Sequence, residues 1–143
     1  FQGYWNRPSD TAATLLDGGW LRTGDIASVS PDGFVTIVDR LKEIIITGGF
    51  NVSPSEVEDV LTSHPDIAGA AVVALPKSSG GEDVAAAIVL RDGVHVEPEA
   101  IRDFCKARLA AYKVPRRVVV VDDLPRSLIG KVQRREVRER LMS

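Results

Sequence analysis

The chain has 143 residues, of which 44% are hydrophobic, 27% charged and 6% aromatic. That length corresponds to about one domain with a core of its own, and Cys105, the only cysteine, excludes an intrachain disulfide and a cysteine-based zinc site. Net charge is −2, yet residues 1–101 hold 6 Lys/Arg and 15 Asp/Glu, a net of −9, whereas residues 102–143 hold 12 and 5, a net of +7. A basic final third suits an anionic partner, or equally a set of solvated helix faces.

No apolar run approaches the ~18–20 residues of a membrane span. The start, FQGYWNRPSD, has neither the charged nor the apolar region of a signal peptide. It opens without Met and in mid-pattern, which reads as a piece of a longer protein.

Ser9-Asp10 before Thr11 to Leu16 predicts a short capped helix stopped by Gly18-Gly19. Leu21 to Val29 predicts a strand, Pro31-Asp32-Gly33 a turn, and Phe34 to Val38 the returning strand. Ile44 to Ile46 and Phe50 to Val52 flank Gly48-Gly49 as a hairpin. Ser53-Pro54-Ser55-Glu56 is a helix start, with Ser53 as N-cap, Pro54 in the first turn and Glu56 completing a capping box. Val57, Val60 and Leu61 form that helix's apolar face, and His64-Pro65 ends it. Ala70 to Leu75 and Val84 to Leu90 are strands around the loop Lys77 to Gly81. A helix over residues 97–109 buries Ile101, Phe104, Cys105 and Leu109, Val118 to Val121 is a third buried strand, and residues 133–141 form a basic final helix. From residue 41 on, this order predicts an α+β or open α/β sandwich. There is no internal repeat and no low-complexity tract.

Several familiar chemistries fail on spacing. Gly130-Lys131 is not a phosphate loop, because position 125, where that motif needs glycine, is proline. No Gly-x-Ser-x-Gly elbow occurs. His64, at a helix end, and His95, in a polar loop, suit structural roles, and Cys105 on an apolar face suits packing. Three patterns stand out instead. In Leu21-Arg22-Thr23-Gly24-Asp25-Ile26 a carboxylate sits within an apolar strand and needs partners for both oxygens. A ribose diol supplies two hydroxyl donors, and neighbouring backbone or an arginine is the alternative. Asp39-Arg40-Leu41-Lys42-Glu43 is a charge cluster at the expected domain boundary, either a hinge or a solvated turn. Lys131 follows Gly130 on a loop before a helix, where a long-stemmed ammonium can enter a site and stabilise developing negative charge, or simply be solvated.

Taken in order, GYWNRPSDTAATLLDGGWLRTGDIA, DGFVTIVDRLKEIIITGGFNVSPSEVE, AYKVP and LPRSLIGKVQRRE resemble the C-terminal part of AMP-forming acyl-CoA ligases. These belong to the adenylate-forming superfamily, with luciferases and peptide-synthetase adenylation domains, and the likeness is greatest to fatty acyl-CoA and coumarate-type ligases. The resemblance implies an α+β fold: a small mobile lid, residues 41–143, with a central three-stranded sheet flanked by helices plus a short hairpin. Residues 1–40 would be the last strands of a large N-terminal domain that binds ATP and the acid, with about 350–400 residues of it expected upstream.

The resemblance also implies a two-step reaction. A carboxylic acid, a fatty acid in the ligases the wording most resembles, reacts with ATP to give acyl-AMP and pyrophosphate, and coenzyme A then takes the acyl group. Asp25 corresponds to the aspartate on the ribose hydroxyls, Arg40 to an arginine on the nucleotide, and Trp20 to a position near it. Lys42 corresponds to the hinge, and Gly48, Gly49 and Asn51 to the loop on the CoA side. Lys131 corresponds to the lysine joining carboxylate and α-phosphate during adenylation. Magnesium would be bound by the large domain, as would any peripheral membrane contact, and the protein would be cytoplasmic. The family often carries small or hydroxyl residues before its Gly-Lys, where this chain has Leu128 and Ile129.

Two other readings stay open on the sequence. One is an adenylation domain or acyl-AMP ligase serving a carrier protein. The other is a non-enzymatic anion- or nucleic-acid-binding module using Arg134, Arg135, Arg138 and Arg140, although no aromatic residues interleave with those charges.

Overall fold

In the computed structural model, which describes residues Phe1–Ser143, Pro8 opens helix α1 (Pro8–Thr14) in the first turn, where its lack of an N–H costs nothing. The helix stops two residues short of the expected end. Leu15 turns extended at ψ 112°, and β1 (Leu15–Leu16) pairs antiparallel with β2 (Trp20–Leu21) around Gly18-Gly19. The single strand expected over Leu21 to Val29 is likewise two pieces. Gly24, at φ +74°, breaks it before β3 (Asp25–Val29).

Strand β3 pairs antiparallel with β4 (Val35–Arg40), with a register shift after Ile26. Ser30 closes the turn between them: its backbone N–H donates to Phe34 O at 2.9 Å, and its Oγ accepts from Phe34 N at 3.0 Å. The chain divides into two compact units, Phe1–Lys42 and Glu43–Ser143, and a 3-10 turn, Leu41–Glu43, straddles that division. In the first unit Asp39 is the sole buried residue. Val29, Phe34, Val35 and Ile37 all remain more than half exposed.

The second unit holds the apolar core. Strands β5 (Ile45–Thr47) and β6 (Phe50–Val52) form the expected hairpin. Gly48 and Gly49 turn it at φ +57° and +82°, the two positive angles of a type I′ turn. Helix α2 (Pro54–Thr62) starts as its sequence requires, with Ser53 Oγ accepting from Glu56 N. Strands β7 (Ile67–Pro76) and β8 (Glu82–Leu90) form a long antiparallel pair. Helix α3 (Pro98–Lys106) then crosses over, and β9 (Arg117–Val120) lies parallel to β8, giving sheet order β7-β8-β9. Helix α4 (Arg134–Met142) closes the chain.

Alternation along β7 and β8 builds two cores from one sheet. Val72, Val84, Ala86 and Ile88 face Val57 and Leu61 of α2, Ile101 and Cys105 of α3, and Ile45 and Val52 of the hairpin. Ala71, Val73, Ala85 and Ala87 face Leu124 and the α4 residues Val137 and Leu141. Covered on both faces, the strands read as unbroken apolar runs. The unit is the α+β arrangement of a three-stranded sheet, flanking helices and a hairpin.

The charge gradient largely closes on itself. Beyond position 101, Arg102, Lys106, Lys113, Arg116, Arg134, Arg135 and Arg140 each lie against a carboxylate. No helix is long and apolar enough to cross a membrane.

Candidate functional site: two polar constellations on two units

In the first unit the sheet register does the positioning. Asp25 and Arg40 are directly opposed across β3 and β4, and Arg40 Nε lies 2.8 Å from Asp25 Oδ1. Thr23 Oγ1 accepts from Asp25 N at 3.2 Å, and Leu41 N donates to Gly24 O at 2.8 Å, so both strand ends are held where the ion pair forms. The Asp25 side chain is 21% exposed and the Arg40 side chain 56%. This is a carboxylate and a guanidinium presented together at a strand end, and it includes the arginine partner that the sequence left as an alternative. Asp39, next to Arg40, turns inward and accepts from Arg40 N at 3.1 Å. Trp20 is 74% exposed on β2, opposite Leu16. Lys42 is exposed within the 3-10 turn.

In the second unit the site residues fall on two hairpins. Ile46 N donates to Glu82 Oε2 at 2.9 Å, Lys77 Nζ donates to Thr47 Oγ1 at 3.3 Å, and Phe50 stacks on Tyr112 at 4.4 Å between ring centroids. These contacts fasten the Gly48-Gly49 turn to the sheet. Asn51 is exposed on β6 opposite Ile46. Beside the turn lies a cleft of about 140 Å³ lined by Thr47, Gly48, Phe50, Lys77, Tyr112 and Arg116, among others. Asp83 Oδ1 lies 3.0 Å from Lys77 Nζ and 2.9 Å from Arg116 Nε. Those are charge contacts without hydrogen-bond alignment. Sequence reasoning singled out none of Lys77, Tyr112 and Arg116. Their only signals are a Gly/Ser loop after Lys77 and the Ala-Tyr-Lys-Val-Pro run.

The second hairpin carries Lys131. Ser127 N donates to Lys131 O and Gly130 N to Ser127 O, each at 2.8 Å, while Arg126 and Val132 form a bridge. Gly130, at φ +80°, supplies the left-handed residue that closes this three-residue loop. Arg126 Nη1 donates to Gly130 O at 2.9 Å, and Lys131 N donates to Ser127 Oγ at 3.2 Å. Lys131 is exposed and its ammonium has no ion-pair partner. Leu128 and Ile129, the departure from the family pattern, occupy the turn at 108% and 78% exposure. Both side chains stand largely clear of the rest of the protein. Lys131 is thus a free charge on a braced support.

Cys105 is fully buried, and burial pushes its thiol up to about 11, so it has no nucleophilic role near neutral pH. No three His, Cys, Asp or Glu side chains gather as metal ligands.

The family model of the AMP-binding enzyme C-terminal domain matches residues 56–131, just over half the chain. A long-chain-fatty-acid–CoA ligase of Escherichia coli O6:H1 is 45% identical over 96% of the chain, which spans 24% of that relative. A 2-succinylbenzoate–CoA ligase of Geobacillus kaustophilus is also 45% identical over 96% of the chain, which spans 28% of it. Among solved structures, ATP-bound MatB from Rhodopseudomonas palustris superposes with a TM-score of 0.93 at 37% identity, over 98% of this chain and 28% of that one. The chain therefore spans about a quarter of the length of these relatives. With the α+β unit and the Lys131 hairpin in place, the match over residues 56–131 makes the chain a member of the AMP-binding enzyme C-terminal domain family of adenylate-forming enzymes.

Proposed function

We propose that the chain is the C-terminal lid, with the last strands of the preceding large domain, of an ATP-dependent acyl-CoA ligase. The exposed, unpaired ammonium of Lys131 on its braced hairpin carries this reading. Adenylation joins two anions, and the carboxylate oxygen attacks the α-phosphorus as pyrophosphate leaves. A lysine between carboxylate and phosphate offsets their repulsion and stabilises the charge of the pentavalent state. Asp25 accepts the ribose hydroxyls, and Arg40, paired with it, contacts the nucleotide. Trp20 stands near the nucleotide.

In the second step the CoA sulfur attacks the acyl carbon and AMP leaves. A thiol is nucleophilic enough to need no strong base beside Lys131. Rotation about Lys42 withdraws Lys131 and brings up Gly48 and Gly49, whose lack of Cβ lets backbone approach the thin pantetheine arm, with Asn51 alongside. Lys77 and Arg116 flank Asp83 in the cleft beside that turn and leave one net positive charge on the CoA side. The first unit buries no apolar side chain, as suits strands that complete a larger domain's sheet.

Two relatives of equal identity carry different acids in their names but CoA in both. CoA is accordingly the proposed acceptor, and the fatty acid follows the names of the long-chain and medium/long-chain relatives. The large domain would hold magnesium, and the ligase would work in the cytoplasm. Of the four arginines of the nucleic-acid reading, Arg134, Arg135 and Arg140 lie against carboxylates and Arg138 does not, and no aromatic residue interleaves with them.

The test separates the half-reactions in the full-length protein. Lys131→Ala should lower ATP–pyrophosphate exchange about 10²–10³-fold, while thioester formation from supplied acyl-adenylate and CoA stays within a few-fold. Equal loss of both would overturn the assignment. The 143-residue chain by itself should show no exchange.

A further inference from the structure

Arg134, the first residue of α4, is the hub of an ionic cluster that none of the roles above uses. Its guanidinium forks onto Glu58 of α2, with Nε 3.0 Å from Oε1 and Nη2 2.6 Å from Oε2. The remaining arm, Nη1, donates to Glu43 Oε2 at 2.5 Å, across 91 positions of sequence. Ser55 Oγ lies 3.5 Å from Nη2. Glu58 is itself anchored, its Oε1 accepting from Val72 N of β7 at 2.8 Å. The side chains of Arg134, Glu43 and Glu58 are only 24%, 31% and 19% exposed, where charge pairing is screened less than at the surface.

The position of Glu43 gives this cluster its meaning. It ends the 3-10 turn that straddles the two units, a turn with no buried residue, and the first core residue after it is Ile45. Arg134 sits at the other end of the unit, beside Lys131. Gln133 separates α4 from the Lys131 hairpin, and Gln133 N donates to Pro125 O at 2.8 Å, which closes the base of that hairpin. The Gly48-Gly49 turn reaches Glu43 through four residues of continuous chain, Ile44 to Thr47. Lys131 has no such covalent shortcut, and Arg134 spans the gap.

Resting on the proposed two-pose reaction, we infer that Arg134 is a positioning residue that clamps Glu43, and with it the exit of the hinge, to the base of the Lys131 hairpin. The Glu43 clamp fixes the pivot at Lys42. With the clamp released, the chain pivots instead anywhere up to Ile45, and the arc swept by Lys131 changes. Adenylation requires a charged atom delivered at hydrogen-bond distance and suffers most from a small misplacement. The Gly48-Gly49 turn has only to leave room, so the thioester step is affected least.

The experiment uses the full-length protein with four variants: Glu43→Ala, Glu43→Gln, Arg134→Lys and Lys131→Ala. Glu43→Ala leaves the Arg134–Glu58 fork in place, so folding is retained. It should lower ATP–pyrophosphate exchange about tenfold or more, with thioester formation from supplied acyl-adenylate unchanged within threefold and a cooperative thermal melt retained. Glu43→Gln, which keeps an acceptor oxygen for Nη1, should recover most of the exchange rate. Arg134→Lys, which keeps the charge but loses the fork, should resemble Glu43→Ala. Parallel loss of both half-reactions, or no loss of exchange, overturns the clamp. Lys131→Ala serves as the reference. If it spares exchange, the functional reading itself fails. If it abolishes exchange while the Glu43 and Arg134 variants do not, the clamp alone fails.

Discussion

Leu61→Ala tests the architecture that supports the site. Leu61 is fully buried on α2, in a cluster with Ile45, Val57, Ile67, Val72 and Ile101. Truncation removes three carbons, and at about 0.8 kcal/mol per buried methylene the lost transfer energy is about 2.4 kcal/mol. The unfilled cavity raises the total to about 3–5 kcal/mol. Each kilocalorie moves the melting temperature of a domain of this size by about 4–8 °C, so a drop of at least about 12 °C is expected. In urea, with a slope of about 1–3 kcal/mol per molar, the midpoint should fall by at least about 1 M. The signal must be far-UV ellipticity, because both tryptophans, Trp5 and Trp20, are exposed in the first unit and report nothing of this core. Leu128→Ala, at a fully exposed position, is the control and should change stability by less than about 0.5 kcal/mol. A loss below about 1 kcal/mol for Leu61→Ala, at unchanged slope, would refute the packing of α2 against the sheet.

Two further outcomes follow from local geometry. Gly48→Ala should cost about 1–2 kcal/mol through backbone strain alone, since φ is +57° and nothing lies within 4 Å of the added carbon. Gly48→Asn, which creates the Asn-Gly pair favoured in type I′ turns, should cost less in the same thermal melt. Cys105 has a thiol raised from 9.0 to about 11 by burial. The folded state therefore keeps its proton where the unfolded state loses it, so this contribution is intact below pH 9 and disappears as pH rises toward 11, by up to about 3 kcal/mol. Cys105→Ala should flatten the stability profile over that window, and thiol reagents should label Cys105 at pH 8 only after denaturant is added.

Legibility followed sequence distance. The start of α2 could be read from four consecutive residues, because an N-cap and a first-turn proline act within one turn. The Gly48-Gly49 hairpin and the apolar runs of β7 and β8 were equally local. The strand expected across Leu21 to Val29 failed at Gly24, whose positive φ outweighed the apolar pattern around it. Leu15 and Leu16 left the predicted helix because strand pairing with Trp20 and Leu21 claimed them. Within the site, motif positions marked Asp25, Arg40 and Lys131, and the structure shows that register sets Asp25 against Arg40. The cleft of Lys77, Tyr112 and Arg116 was hidden, since those residues lie far apart along the chain and meet only after the sheet forms. Arg134 was visible merely as one more base, because its partners lie 76 and 91 positions away.

The covering of the sheet's second face also orders events during synthesis. Strands β7 and β8 leave the ribosome with Ala71, Val73, Ala85 and Ala87 bare on the side that α4 later seals through Val137 and Leu141. Glu43 and Glu58 likewise wait for Arg134. Until the final turns of α4 emerge, the nascent unit carries an open apolar face and two uncompensated acids, which is the interval in which a chaperone would find it. Stop codons just ahead of Arg134 would prolong that interval indefinitely, and such shortened chains would be lost to aggregation or proteolysis before any question of catalysis arose.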